Sequence, residues 1–266
     1  MFGILGPNGS GKTTLLGIVM DVLKPTAGSF SFMGDGPNEH HRKRIGTLLE
    51  TPNFYHYLSA QKNLEIAAAI KGQGNEDIAR VLEVVNLTQR KDSKFSTFSL
   101  GMKQRLAIAS CLLGNPDIMV FDEPTNGLDP VGIAEIRELI KKIYQQGKTI
   151  IMASHLLDEV EKVCTHVAIL KRGVLLTTGD VNEILANEDI VEIGAEDNEK
   201  LLQVIKGLHT YTKFKEDKNL VQLFCPVGTS NMGELNRYFF DNGVTLNHLQ
   251  LKKKSLETKF FVLTNN

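Results

Sequence analysis

Residues 6–13 read Gly6-Pro7-Asn8-Gly9-Ser10-Gly11-Lys12-Thr13, and their spacing fits G-x-x-x-x-G-K-[ST], a loop that cradles phosphate. The apolar run Phe2-Gly3-Ile4-Leu5 enters this loop as the end of a buried strand would, and helix-forming residues 13–23 leave it. Strand, glycine-rich loop and helix in that order aim unpaired helix N–H groups and the positive end of the helix dipole at an anion. Gly9 and Gly11 give the backbone the freedom to turn successive N–H groups inward. Lys12 is expected to reach the β- and γ-phosphates of a nucleotide, and Thr13 to give its hydroxyl to Mg²⁺. A glycine-rich turn matching by chance is the alternative, and the strand–helix context weighs against it.

The totals narrow the setting. A chain of 266 residues suffices for one large domain, or a large and a small one, with a buried core. A formal net charge of −1 gives no reason to expect nucleic acid as the main partner. Cys111, Cys164 and Cys225 lie far apart in apolar stretches. They suit neither a metal site nor a disulfide framework, and point to a reducing cytosol. No apolar run approaches the roughly 18 residues needed to span a bilayer, so work at a membrane would require another polypeptide to cross it.

Outward from the loop, the pattern alternates. A strand is expected at residues 30–33, and another at 45–49 running into Glu50. Between them lies a solvated helix start at the basic run His40-His41-Arg42-Lys43-Arg44. Helical periods at 60–71, 75–85 and 102–113 suggest a helical insertion over about 51–115. A strand at 117–122, a helix at 130–146, a strand at 149–153 and a helix at 156–163 follow. A hairpin comes next, 167–170 with 174–178, around Lys171-Arg172-Gly173. Strands alternating with helices predict a doubly wound, mostly parallel α/β sheet. The strand at 2–5 would be central in that sheet with nothing before it to flank it, so the chain reads as a fragment. From about residue 186 the order strand, helix, strand, strand, helix, strand suggests a separate ferredoxin-like α+β domain to residue 266, with residues 256–263 a further helical stretch.

Three more motifs join the loop. Ile118-Met119-Val120-Phe121 runs into Asp122 and Glu123, which would put one carboxylate in the Mg²⁺ shell and the other beside an attacking water. Ser99 before a long helix is an N-cap and, with Gly101, a second anion-binding helix start. Ser154-His155 ends a strand, where the imidazole could bond a γ-phosphate. Each alone is weak; a core strand ending in surface acids would account for Asp122 and Glu123 as readily.

In this order and spacing, residues 1 to about 180 resemble the nucleotide-binding subunit of the ATP-binding cassette (ABC) family. Residues 6–13 match its P-loop, residues 117–123 its Walker B strand, Ser99-Leu100-Gly101-Met102 its signature, Leu128-Asp129 its D-loop and His155 its switch histidine. The tail Ser255-Leu256-Glu257-Thr258-Lys259-Phe260-Phe261 resembles the accessory domain of bacterial ABC-2-type drug- and antibiotic-export ATPases. Departures are Leu100 and Met102 in the signature, Glu50 at the Q-loop glutamine position, and no counterpart of the family's N-terminal strands or adenine-stacking aromatic.

The resemblance implies an α/β P-loop NTPase domain (residues 1–185) and a small α+β domain (186–266). It implies ATP held by Gly6, Pro7, Asn8, Gly9, Ser10, Gly11, Lys12, Thr13, Thr14 and Glu50, with Ser99, Gly101 and Asp129 closing the site. Mg²⁺ would be held by Thr13, Asp122 and Glu50, and catalysis would fall to Glu123, His155 and Lys12. Two chains would face head to tail in a homodimer. An integral membrane permease would dock near Phe54, Tyr55 and Tyr57, placing the chain on the cytoplasmic face of the cell membrane and making it the ATP-hydrolysing engine of an exporter. The alternative is a soluble ABC-type ATPase with a mechanical or assembly role.

Overall fold

The computed structural model describes residues 1–31, 34–36, 39–49, 53–185, 189–208, 210–217, 220–226, 228–252 and 260. Two compact units divide the chain, Met1–Thr178 and Gly179–Asn266.

In the first unit the elements are β1 (Phe2–Leu5), α1 (Lys12–Val19), α2 (Glu39–Lys43), β2 (Ile45–Leu48), α3 (Ala60–Lys71), α4 (Ile78–Val84) and α5 (Leu100–Leu112). They continue with β3 (Ile118–Asp122), α6 (Pro130–Gln145), β4 (Thr149–Ser154), α7 (Leu157–Val163), β5 (His166–Lys171) and β6 (Val174–Asp180). The strands form a six-stranded sheet in the order β2-β3-β4-β1-β5-β6. Pairs β2/β3, β3/β4, β4/β1 and β1/β5 are parallel. Strands buried on both faces must be apolar along their whole length, and Met119, Val120 and Phe121 of β3 are fully buried. The neighbours β3, β4 and β1 run in one direction, so their carboxyl ends share one edge. Leu5 pairs with Ser154, and Asp122 with Ala153. That register is what brings the phosphate loop, the acidic pair and His155 together.

Two expectations are corrected. Helix α1 stops at Val19 rather than continuing to residue 23. Asp21 takes a left-handed φ of 59°, and the amides of Asp21 and Val22 bond back to Ile18 and Gly17 carbonyls at 2.9 and 2.8 Å. This is a Schellman stop with Asp in the place glycine usually fills. Phe30 and Ser31 form no strand, because residues 21–29 are all exposed and offer no buried row to pair through; residues 32 and 33 lie outside the described set. Glu50 and the proposed helical tail, apart from Phe260, also lie outside it.

Between β2 and β3 the chain is helical, and its joints are polar. Ser59 caps α3, accepting from the Lys62 amide at 3.2 Å. At the other end Lys71 Nζ reaches the Ser110, Cys111 and Leu113 carbonyls at 2.8, 3.2 and 3.4 Å. A cation there satisfies the orphan carbonyls of α5 and opposes its dipole. Burial holds the Lys71 ammonium below its usual pKa. The three cysteines are free and buried, and desolvation pushes Cys111 up to about 11 and Cys164 up to about 12, which leaves these thiols inert at neutral pH.

The second unit contains α8 (Val181–Leu185), β7 (Asp189–Ala195), α9 (Asn198–Lys206), β8 (Lys213–Asp217), β9 (Leu220–Cys225), α10 (Met232–Asp241) and β10 (Leu246–Lys252). Its four-stranded sheet has the order β10-β7-β9-β8, with each pair antiparallel. Val191, Ile193, Val221 and Leu223 alternate toward Leu201, Ile205 and Phe239 of the two long helices. Between the first two, Glu192 points to the opposite face and is held by Lys252, Gln222 at 3.1 Å and His248 at 3.2 Å. The Lys252 contact, with help from Gln222, keeps its carboxyl below the usual carboxylate range.

Candidate functional site

The phosphate loop is shaped by two left-handed glycines, Gly9 at φ 77° and Gly11 at φ 99°. Gly11 caps α1 without any side-chain hydrogen bond, so the first-turn amides face the loop's hollow as anion donors. Ser10 is buried, and its hydroxyl has no hydrogen-bond partner among the described residues. From outside, the Gly173 amide in the β5–β6 turn donates to the Ser10 carbonyl at 2.8 Å.

Lys12 is 5% exposed. Its ammonium lies 2.9 Å from the Gly6 carbonyl, 3.4 Å from the Pro7 carbonyl and 3.3 Å from Glu123 Oε1. Glu123 itself sits at a left-handed φ of 49°, with its amide tied to the Ala153 carbonyl at 2.9 Å. A non-glycine residue in that conformation stores strain, which clusters at functional sites. The turn aims the carboxylate sideways along the sheet edge, where Oε2 meets His155 Nδ1 at 2.7 Å. A carboxylate on Nδ1 makes that nitrogen the donor and leaves Nε2 to face outward. One carboxylate thus joins the cation of the loop to the imidazole of the next strand. A base, a fixed cation and an oriented imidazole are the parts that phosphoanhydride hydrolysis needs.

Beside them Thr13 Oγ1 donates to Asp122 Oδ2 at 2.6 Å. A hydroxyl and a carboxylate side by side are hard oxygens that fit Mg²⁺, a cation that completes its shell with waters and substrate phosphates. Among the described residues no cluster of three or more His, Cys, Asp or Glu could hold a metal ion.

The remaining predicted residues divide. Thr14 is exposed beside Thr13 at the start of α1. Asp129 caps α6, accepting from the Gly132 amide at 2.9 Å. Ser99 caps α5, accepting from the Met102 amide at 3.3 Å. No hydrogen bond among the described residues joins Ser99 or Gly101 to residues 6–14. A Cβ on Gly101 would meet nothing within 4 Å, and Leu100 is 49% exposed. This helix start therefore faces open space. Sequence reasoning missed the Gly173 support of the loop, because the turn signal at Arg172-Gly173 says nothing of which loop it touches. It also missed Asn63, which is buried and holds the Phe54–Tyr57 segment by accepting from the Tyr55 amide at 2.7 Å and donating to the Tyr55 carbonyl at 3.1 Å.

The profile of the ABC transporter family matches residues 1–126. Over 266 aligned residues the chain is 32% identical to the bacitracin transport ATP-binding protein BcrA of Enterococcus faecalis, covering 98% of this chain and 86% of that one. The chain belongs to the ABC transporter ATP-binding family. The BcrA of Bacillus licheniformis is 35% identical over 272 residues, covering 99% and 88% of the two chains. Among solved structures, cbiO1 of Clostridium perfringens, part of the ABC transporter complex cbiONQ, superposes with a TM-score of 0.62 at 31% identity, over 70% of this chain and 78% of that one. As an ABC transporter ATP-binding subunit, the chain binds and hydrolyses ATP to power a transporter. The non-transport role weighed from sequence is not favoured, since these relatives are transport subunits. Among the described residues no helix is long and apolar enough to cross a membrane.

Proposed function

We propose that the chain acts as one of two Mg²⁺-dependent ATPase subunits that drive export of a peptide antibiotic through a separate permease. The observation that carries this reading is the Glu123 carboxylate bridging Lys12 at 3.3 Å and His155 at 2.7 Å, next to the Thr13–Asp122 pair. When bound, Mg²⁺ supplies charge neutralisation on the phosphate oxygens. The loop amides and Lys12 hold the triphosphate, Glu123 orients the attacking water and accepts its proton, and His155 Nε2 steadies the γ-phosphate.

The open helix start at Ser99 and Gly101 supports a head-to-tail homodimer, in which the partner's nucleotide supplies the anion those amides lack. For the permease, the support is a mostly apolar cavity of about 330 Å³ lined by Asn53, Phe54, Tyr55, Asn63, Ile66, Ala67 and Ile70. Tyr55, Tyr57 and Ile70 are 51%, 69% and 82% exposed around it, and amphipathic rings over an apolar hollow suit an interface. The cargo class rests on the names of the bacitracin transport relatives. In use the chain lies on the cytoplasmic face of the membrane, held there by its permease.

ATP turnover by the full chain, with Mg²⁺ and after chelation, tests this with sedimentation read in parallel. Turnover is expected only with Mg²⁺, and a dimer only with ATP. Turnover that survives chelation, or a monomer throughout, would overturn the reading.

A further inference from the structure

Helix α7 starts two residues after His155, so its placement decides where the imidazole points. Three contacts fix it. On β1, the strand that feeds the phosphate loop, Gly3 lets α7 come close: a Cβ there would lie 2.4 Å from Val160 Cγ1. At its start the Leu156 amide donates to Ser154 Oγ at 3.0 Å. On its far side Glu159 Oε1 accepts from Arg137 Nη1 of α6 at 2.9 Å. Glu159 is the third residue of α7, four residues after His155. Arg137 lies about 12 Å along α6 from its Asp129 cap, at a rise of 1.5 Å per residue.

This ion pair is costly to bury. The Glu159 side chain is 9% exposed and that of Arg137 20%, and Glu159 Oε2 has no hydrogen-bond partner among the described residues. Removing two such charges from water offsets most of their attraction, and apolar side chains of the same volume often give an equally stable fold. What an apolar contact cannot do is fix direction. The Arg137–Glu159 bond is a directional tie that relates the rotation and height of α7 to α6.

We propose that Arg137 and Glu159 are positioning residues for hydrolysis: their bond locks α7 to α6 so that His155 Nδ1 stays on the Glu123 carboxylate. This rests on the reading of Glu123 and His155 as the hydrolytic pair. A shift of about 1 Å in a positioned group costs up to about a hundredfold in rate. Neither Arg137 nor Glu159 touches the nucleotide loop, so the effect falls on kcat and not on KM.

The test is steady-state ATP hydrolysis by the full chain carrying Arg137→Met together with Glu159→Leu, since Arg137→Met alone would strand the buried Glu159 carboxylate. The double variant should melt no lower than wild type, with KM for ATP within about twofold and kcat lower by about tenfold. Its His155 imidazole NMR signal should move toward the position that signal takes in Glu123→Ala, which removes the contact outright. Arg137→Lys keeps a cation for this single, non-bidentate contact, and should retain at least about half the wild-type kcat. A double variant with wild-type kcat or an unmoved His155 signal would show that the pair is only packing. An Arg137→Lys variant as slow as the double variant would overturn the proposal equally. Near-normal turnover in Glu123→Gln would instead overturn the assignment of the pair itself, so the two failures are told apart.

Discussion

Replacing Lys71 with Met removes the ammonium that closes the carboxyl end of α5 while keeping most of the stem's apolar bulk. Three carbonyls, those of Ser110, Cys111 and Leu113, lose a partner at 2.8 to 3.4 Å. A hydrogen bond to a charged group contributes about 1.5–3 kcal/mol in mutational series, and an orphaned buried acceptor costs about 1–3 kcal/mol. The three bonds share one cation and the longest is weak, so they do not sum. Burial opposes the charge, as the lowered pKa of Lys71 shows, and its removal returns part of the loss. The net expectation is destabilisation by about 2–3 kcal/mol, read by urea unfolding followed by circular dichroism. The sign of the pH dependence is also fixed. With the folded pKa below the unfolded value of about 10.4, the unfolded chain binds more protons between the two. Wild-type stability relative to Lys71→Met should therefore rise with pH across that window. A loss under about 0.5 kcal/mol would refute the capping role, and a difference that falls with rising pH would refute the burial-lowered pKa.

Other outcomes follow from the same geometry. Thr13→Val keeps shape but removes the hydroxyl bonded to Asp122, so ATP affinity should drop about tenfold with Mg²⁺ and barely change in its absence, as measured by equilibrium nucleotide binding. Ser99→Ala removes the α5 cap and should cost about 1 kcal/mol in unfolding free energy; it should also weaken ATP-dependent dimerisation in sedimentation. Tyr55→Ala with Tyr57→Ala alters two exposed rings. Basal ATPase should stay at the wild-type level and stability within about 0.5 kcal/mol, while transport with the permease present is lost.

Much of the site was legible because it is built from strand ends. Buried parallel strands must be apolar runs, so residues 2–5 and 118–121 announced themselves, and the polar residues that follow each run necessarily fall on the sheet's carboxyl edge. The Ser99 cap was legible for a different reason: a short polar side chain before a helical period satisfies local amides, and no tertiary knowledge is needed to see it. What sequence could not reveal were bonds between distant elements. Lys71 looks like any solvated lysine at a helix end until α5 is brought against it, and Arg137 and Glu159 are ordinary helix-surface residues until α6 and α7 pack. The early end of α1 was hidden because Asp21, rather than a glycine, adopts the left-handed turn.

The most direct measurement is ATP turnover by Glu123→Gln, with nucleotide binding and assembly state followed in the same samples. Glutamine keeps the shape of the side chain and can still bond His155, but it cannot accept a proton from water. Loss of a positioned general base costs about 10²- to 10⁴-fold. The variant should therefore bind ATP within about threefold of wild type, turn it over at least about a hundredfold more slowly, and accumulate as an ATP-bound dimer. Turnover close to wild type would contradict the claim that Lys12, Glu123 and His155 form one hydrolytic centre.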